Sequence, residues 1–208
     1  MEITFLGTGT SQGVPLIACQ CEVCQSSDSK DKRLRSSILV SYDDKNYVID
    51  SGPDFRQQML RENVQDVNAV LFTHEHKDHV AGLDDIRAFN FKHKRDMDIF
   101  CEERVFGALK NEFHYVFAEK TYPGVPRMNV QLIENKTFQI NDLDIIPIRG
   151  LHYKLPVLGF RFGDFTYITD MNSISKEEMA KIRGTKILVI NALRQSEHIS
   201  HFSLDEAL

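Results

Sequence analysis

The stretch Thr73-His74-Glu75-His76-Lys77-Asp78-His79 directly follows the apolar run 69–72. Three of the chain's eight histidines fall within these few positions, with an aspartate between the last two. In extended backbone, side chains two apart point the same way, so His74 and His76 can converge on one metal ion. A helix starting near Asp78 turns the chain, and Asp78 and His79 can then serve a second ion close by. Imidazole and carboxylate suit Zn2+, and a donor set this rich in nitrogen and oxygen also admits Mn2+ or Fe2+. The spacing is not that of the zincins, because no His follows Glu75 where their pattern requires one. A polar surface loop is the bland alternative, and the crowding of histidines at a strand end argues against it.

Two later positions offer further ligands: His152 in Arg149-Gly150-Leu151-His152, and Asp170 at the end of Tyr167-Ile168-Thr169. A carboxylate such as Asp170 can bridge two cations. Taken alone, His152 reads as a partly buried histidine and Asp170 as a turn residue. A separate cluster, Cys19, Cys21 and Cys24, occupies one short loop, and three thiolates can share a structural zinc. As free thiols they would be an oxidation liability. Cys101 reads instead as a small buried apolar residue.

These side chains must be carried by strand ends and loops. Apolar-rich strands are expected at 3–6, 37–42, 47–50, 69–73, 98–101, 130–134, 143–148, 158–162, 166–169 and 186–190. Residues 158–169 read as a hairpin turning at Gly163-Asp164. Helices are expected from Pro53 towards Arg61, over 78–89 and 102–117, and after Ser175, where Ser175 with Glu178 forms a capping box and Gly184 suits the far end. Ser203 and Glu206 form another capping box, one turn before the last residue, Leu208. That pattern is expected of an element completed outside this sequence. Strands mixed with helices and a hairpin predict mixed sheets with helices outside them.

Composition excludes several classes. The 208 residues are 42% hydrophobic and 26% charged, a globular balance. The formal net charge of −5 argues against a general nucleic-acid or membrane-surface binder. No apolar stretch approaches transmembrane length. The N-terminus lacks a signal-peptide pattern, and four cysteines do not make a disulfide scaffold, so a reducing, cytoplasmic setting is expected.

The run His74 to His79 followed by Gly82-Leu83 resembles the HxHxDHxxGL signature of the metallo-β-lactamase superfamily. The resemblance covers essentially the whole chain. It implies an α/β fold, an αββα four-layer sandwich of two mixed sheets flanked by helices. It further implies a single domain over 1–208 that lacks its last helix and C-terminal segment. By the same resemblance, His74, His76, His152 and Asp170 hold a first ion, and Asp78, His79 and Asp170 a second, with Asp50 supporting the ligand loop. The opening Gly7-Thr8-Gly9-Thr10-Ser11-Gln12-Gly13-Val14-Pro15, the Cys19-Cys21-Cys24 loop and Ser200-His201-Phe202-Ser203 resemble the branch containing the cyclic phosphodiesterase of bacterial phosphonate breakdown. This implies hydrolysis of small cyclic phosphodiesters by metal-bound hydroxide, with Asp78 orienting the nucleophile and His201 donating a proton to the leaving group. Two zinc ions at the reaction centre and one at the cysteines are implied, with Mn2+ or Fe2+ as alternatives at the reaction centre. The branch takes further ligands from a C-terminal His, and none follows His201 here; His198 or His201 could stand in, which conflicts with His201 as acid. Dimers are common in the branch, so a homodimer is a further expectation. Rival readings are a tRNA 3′-end endonuclease, a thioester or lactam hydrolase, and a metal-binding protein without turnover.

Overall fold

The structure is a computed structural model that describes all residues, Met1–Leu208. The chain divides into two compact units, Met1–Leu132 and Ile133–Leu208, each built on its own mixed sheet.

The first unit runs β1 (Glu2–Gly7), α1 (Glu22–Gln25), β2 (Ser37–Tyr42), β3 (Lys45–Ile49), α2 (Phe55–Arg61), β4 (Ala69–Leu71), α3 (Lys77–Val80), α4 (Arg87–His93), β5 (Met97–Cys101), α5 (Glu103–Glu112) and β6 (Met128–Leu132). Its sheet has the order β1-β2-β3-β4-β5-β6, antiparallel as far as β3 and parallel from β3 to β6. Register places Leu39, Val48, Val70, Ile99 and Val130 side by side across five strands. This apolar row is covered by Phe55 and Met59 of α2, Phe89 of α4, and Val105 and Leu109 of α5. The parallel order puts the carboxyl ends of β3 and β4 next to each other. In α/β sheets, sites gather at such ends.

The second unit runs β7 (Phe138–Ile140), β8 (Leu143–His152), β9 (Leu155–Phe162), β10 (Phe165–Ile168), β11 (Ser173–Ile174), α6 (Lys176–Ile182), β12 (Ile187–Ile190) and α7 (Leu204–Ala207). Its sheet has the order β11-β8-β9-β10-β12, with β7 paired to β8. The expected hairpin is present: Phe162 faces Phe165 across Gly163, whose φ is 57°. Ile182 of α6 packs with Ile148, Val157 and Ile168 on the sheet.

Three expectations are corrected. The helix expected over 78–89 is broken into α3, a 3-10 turn at Leu83–Ile86 and α4. The break falls where the Gly82 N–H donates to the Ser51 carbonyl rather than continuing the helix. The strand expected to stop at 148 runs on to His152, because Gly150 leaves room for Met171: a Cβ there would lie 2.1 Å from Met171 Sδ. The box at Ser175 is half formed. Ser175 accepts from the Glu178 N–H, but the Glu178 carboxylate turns away from it. It accepts from the Arg149 N–H (2.7 Å), from Asn135 Nδ2 (2.8 Å) and from Lys181 Nζ (2.8 Å). The box at Ser203 is complete.

Glu178 therefore holds β8 just ahead of His152. Burial pushes its carboxyl up, but Lys181, the Arg149 N–H and Asn135 outweigh this and hold it below the usual glutamate range. A carboxyl whose folded value is lowered stabilises the fold fully above its unfolded value, and that contribution fades as pH falls through the folded value. Glu178→Gln should lower stability at neutral pH by about 1–3 kcal/mol. In urea unfolding, the gap between the two proteins should close on acidification; a gap that does not change with pH would contradict this role.

Candidate metal centre

In the first unit, Asp50 follows β3 with φ 64° and the Thr73-His74 pair follows the adjacent β4. Asp50 is fully buried. Its Oδ1 accepts from the Thr73 N–H (2.8 Å), and its Oδ2 accepts from Thr73 Oγ1 (2.9 Å) and from His79 Nδ1 (2.7 Å). Burial pushes this carboxyl up, while the His79 imidazole and the Thr73 donors pull it back. Two close approaches make the arrangement possible. A Cβ on Gly52 would lie 2.0 Å from the Asp78 carbonyl oxygen, and one on Gly82 would lie 2.0 Å from the Gly52 carbonyl oxygen.

The bonding pattern assigns the tautomers. The Thr73 hydroxyl spends its proton on Asp50, so its oxygen, 2.9 Å from His74 Nδ1, accepts from that nitrogen. His74 Nε2 is then an acceptor, and it lies 3.1 Å from His76 Nδ1. His79 Nδ1 donates to Asp50, which turns its Nε2 towards Asp78 Oδ2 at 3.2 Å. A proton or a metal ion between the atoms of each facing pair satisfies both. This donor set fits divalent metal. The intervening residues point elsewhere: Glu75 pairs with Arg104 and Lys77 with Glu112, both on α5. Ligands and anchors thus alternate along the loop, as extended backbone dictates.

In the second unit, His152, Asp170 and His201 bring one ligand atom each within 4.8 Å of one another. The Ser200 carbonyl accepts from His152 Nδ1 (2.7 Å). A carbonyl can only accept, so Nδ1 carries the proton and Nε2 presents its lone pair. Asp170 has φ 53° and accepts from Thr169 Oγ1 at 2.7 Å. The next residue, Met171, has its N–H bonded to Asn191 Oδ1 (3.0 Å) and its carbonyl to Asn191 Nδ2 (2.9 Å). His198 lies beside His201, with ring centroids 5.2 Å apart.

Cys19, Cys21 and Cys24 also bring their sulfurs within 4.8 Å of one another. The Cys24 N–H and the neighbouring thiols hold the Cys21 thiol below its usual range, which favours the thiolate a metal needs. Cys101 is fully buried, and burial with Glu103 and Glu102 pushes its thiol up to about 12. In the basic run Lys92-His93-Lys94-Arg95, Lys92 is tied to Gln65 and Arg95 to Asp66. Sequence reasoning missed Thr73, Asn172, Asn191 and Ser200. The first adjoins the His motif, and the others act through the backbone and leave no pattern of their own.

Residues 45–208 match the family described as the β-lactamase superfamily domain. The chain belongs to the metallo-β-lactamase superfamily. It has that superfamily's hydrolase fold. A crystal structure of a diphosphatase from the PhnP family superposes with a TM-score of 0.92 at 38% identity, covering 99% of this chain and 78% of that one. The Zn2+-bound PqqB of Methylobacterium extorquens superposes with a TM-score of 0.76 at 20% identity, covering 94% of this chain and 74% of that one, a likeness of fold. An octanoyltransferase of Porphyromonas gingivalis is 41% identical over 211 residues, which is 100% of this chain and 42% of that protein. The chain therefore spans less than half the length of that curated relative.

Asp50 fixes which nitrogen of His79, and through Thr73 of His74, carries the proton. Asp50→Asn keeps an acceptor for the Thr73 N–H but turns an amide N–H towards His79 Nδ1. Metal affinity should fall about 10–100-fold. Titration of metal-free protein with Zn2+, followed by calorimetry, checks this; unchanged affinity would mean that the tautomers are set elsewhere.

Proposed function

We propose that this chain is a metal-dependent phosphodiesterase acting on small phosphodiesters or diphosphates, cyclic ribose phosphodiesters among them. The observation that carries this reading is the 38% identity, across 99% of the chain, to a diphosphatase from the PhnP family. The clustering of His152, Asp170 and His201, each with one ligand atom within 4.8 Å of the others, supports it.

On this reading His74, His76, His152 and Asp170 hold one ion, and Asp78, His79 and Asp170 another. Bound ions supply Lewis acidity and bring the pKa of a bound water from 15.7 to roughly 7. Zn2+ suits the donors, and Mn2+ or Fe2+ are the alternatives. Asp78 orients the attacking water. His201 holds a proton for the leaving oxygen. Cys19, Cys21 and Cys24 hold a structural zinc in a reducing compartment, the cytoplasm. A homodimer is part of the reading.

A second reading is favoured by the octanoyltransferase relative: a carbonyl in place of the phosphoryl group, in a thioester. Cys101 does not serve it as a nucleophile, because a thiol with a value of about 12 is protonated at neutral pH.

Protein stripped of metal should be inactive on bis(p-nitrophenyl) phosphate and recover on addition of Zn2+ or Mn2+, while octanoyl thioester stays intact. No recovery with any divalent metal would sink the phosphodiesterase reading, and thioester hydrolysis alone would establish the second. Cys21→Ser should lower the zinc content found by mass spectrometry by about one ion per chain without loss at the reaction centre.

A further inference from the structure

We infer that Asn172 is the positioning residue that locks the proton donor His201 to the metal-ligand turn at His152. This rests on the reading of His201 as proton donor.

Phe202 anchors one side of the segment carrying His201 on the apolar cluster of the second unit. On the other side Ile199 is 67% exposed. There hydrogen bonds place the chain, and several of them come from the stretch that follows Asp170. The Phe202 N–H donates to the Met171 carbonyl at 2.8 Å. The Asn172 side chain makes two bonds in opposite directions. Its Oδ1 accepts from the Tyr153 N–H (2.9 Å), and its Nδ2 donates to the Ile199 carbonyl (3.1 Å). Its own N–H donates to the Leu151 carbonyl at 2.8 Å.

Tyr153 is the residue after His152 and sits in the left-handed region at φ 58°, so the turn that ends β8 needs an outside partner for its N–H. Ile199 precedes Ser200, whose carbonyl fixes the His152 tautomer, and Ser200 precedes His201. One amide thus clamps both sides of the His152–His201 ring contact, in which the centroids are 4.6 Å apart and the planes 63° apart. An amide presents its acceptor and its donor on two different atoms of one short side chain, so it can reach two separated partners, whereas a hydroxyl carries both on one oxygen.

In the step concerned, the water oxygen bonds to phosphorus and releases one proton to solvent, the bond from phosphorus to the leaving oxygen breaks, and that oxygen takes the proton held by His201, which solvent then restores. An alkoxide needs this proton, whereas p-nitrophenolate leaves without it. Misplacing His201 should therefore slow one substrate and spare the other.

Asn172→Asp keeps the acceptor for the Tyr153 N–H but opposes a carboxylate oxygen to the Ile199 carbonyl. In metal-reconstituted protein it should slow kcat for 2′,3′-cyclic AMP by roughly tenfold or more. KM, metal content and hydrolysis of bis(p-nitrophenyl) phosphate should stay within about twofold. His201→Ala should show the same selective loss, and the double variant should lose no more than His201→Ala alone. In metal-free protein, hydrogen exchange at the Ser200 and His201 amides should speed up in Asn172→Asp. If that variant does not fold, Asn172→Ser, too short to make both bonds, replaces it with the same expectations. Equal slowing of both substrates with loss of metal would overturn the inference, leaving Asn172 a support of the ligand turn alone. A selective His201→Ala beside a silent Asn172→Asp would also overturn it while leaving the donor reading intact. A His201→Ala without selectivity would remove the donor reading itself, and this inference with it.

Discussion

The Asp50 carboxylate is the constraint on which the histidine cluster of the first unit depends. Placed at the end of β3, it takes three hydrogen bonds from two residues beyond the neighbouring strand. A carboxylate buried without such partners would cost several kcal/mol. With them it orders two histidines at once: His79 directly and His74 through the Thr73 hydroxyl. Proton placement is thereby set by the fold before any ion arrives. The parallel pairing of β3 with β4 makes this possible, since it puts the two strand ends side by side.

The second unit solves the same problem with neutral groups. A backbone carbonyl orients His152, and two asparagine amides hold the chain around Asp170. No buried charge is required there, and the ring contacts lie in a partly exposed region. The two halves thus differ in how they resist perturbation. A buried carboxylate tolerates few replacements, whereas a backbone carbonyl cannot be replaced by side-chain substitution at all.

Much of this was legible in the sequence, and the exceptions are physical. The strand cores and the hairpin at Gly163 are local patterns, and they read correctly. The continuous helix expected over 78–89 failed because Gly82 is captured by Ser51, 31 residues earlier in the chain. The extension of β8 to His152 depends on room at Gly150 for a methionine 21 positions on. Asn172 and Asn191 bond distant backbone and the Ser200 carbonyl bonds the distant His152 ring, and a single residue with a long-range partner has no periodicity to detect. The three sulfurs of the cysteine loop come together as their spacing suggested.

The alternation along the ligand loop constrains how this segment can change. His74 and His76 face one way, while Glu75 and Lys77 reach back to α5. Exchanging one side chain alters one of these functions. Inserting or deleting one residue between Thr73 and His76 would reverse the parity of the extended stretch that follows it up to α3, turning an anchor inward and a histidine out. The loop can drift by substitution but not by length, so its residue count is as strict a requirement as its histidines.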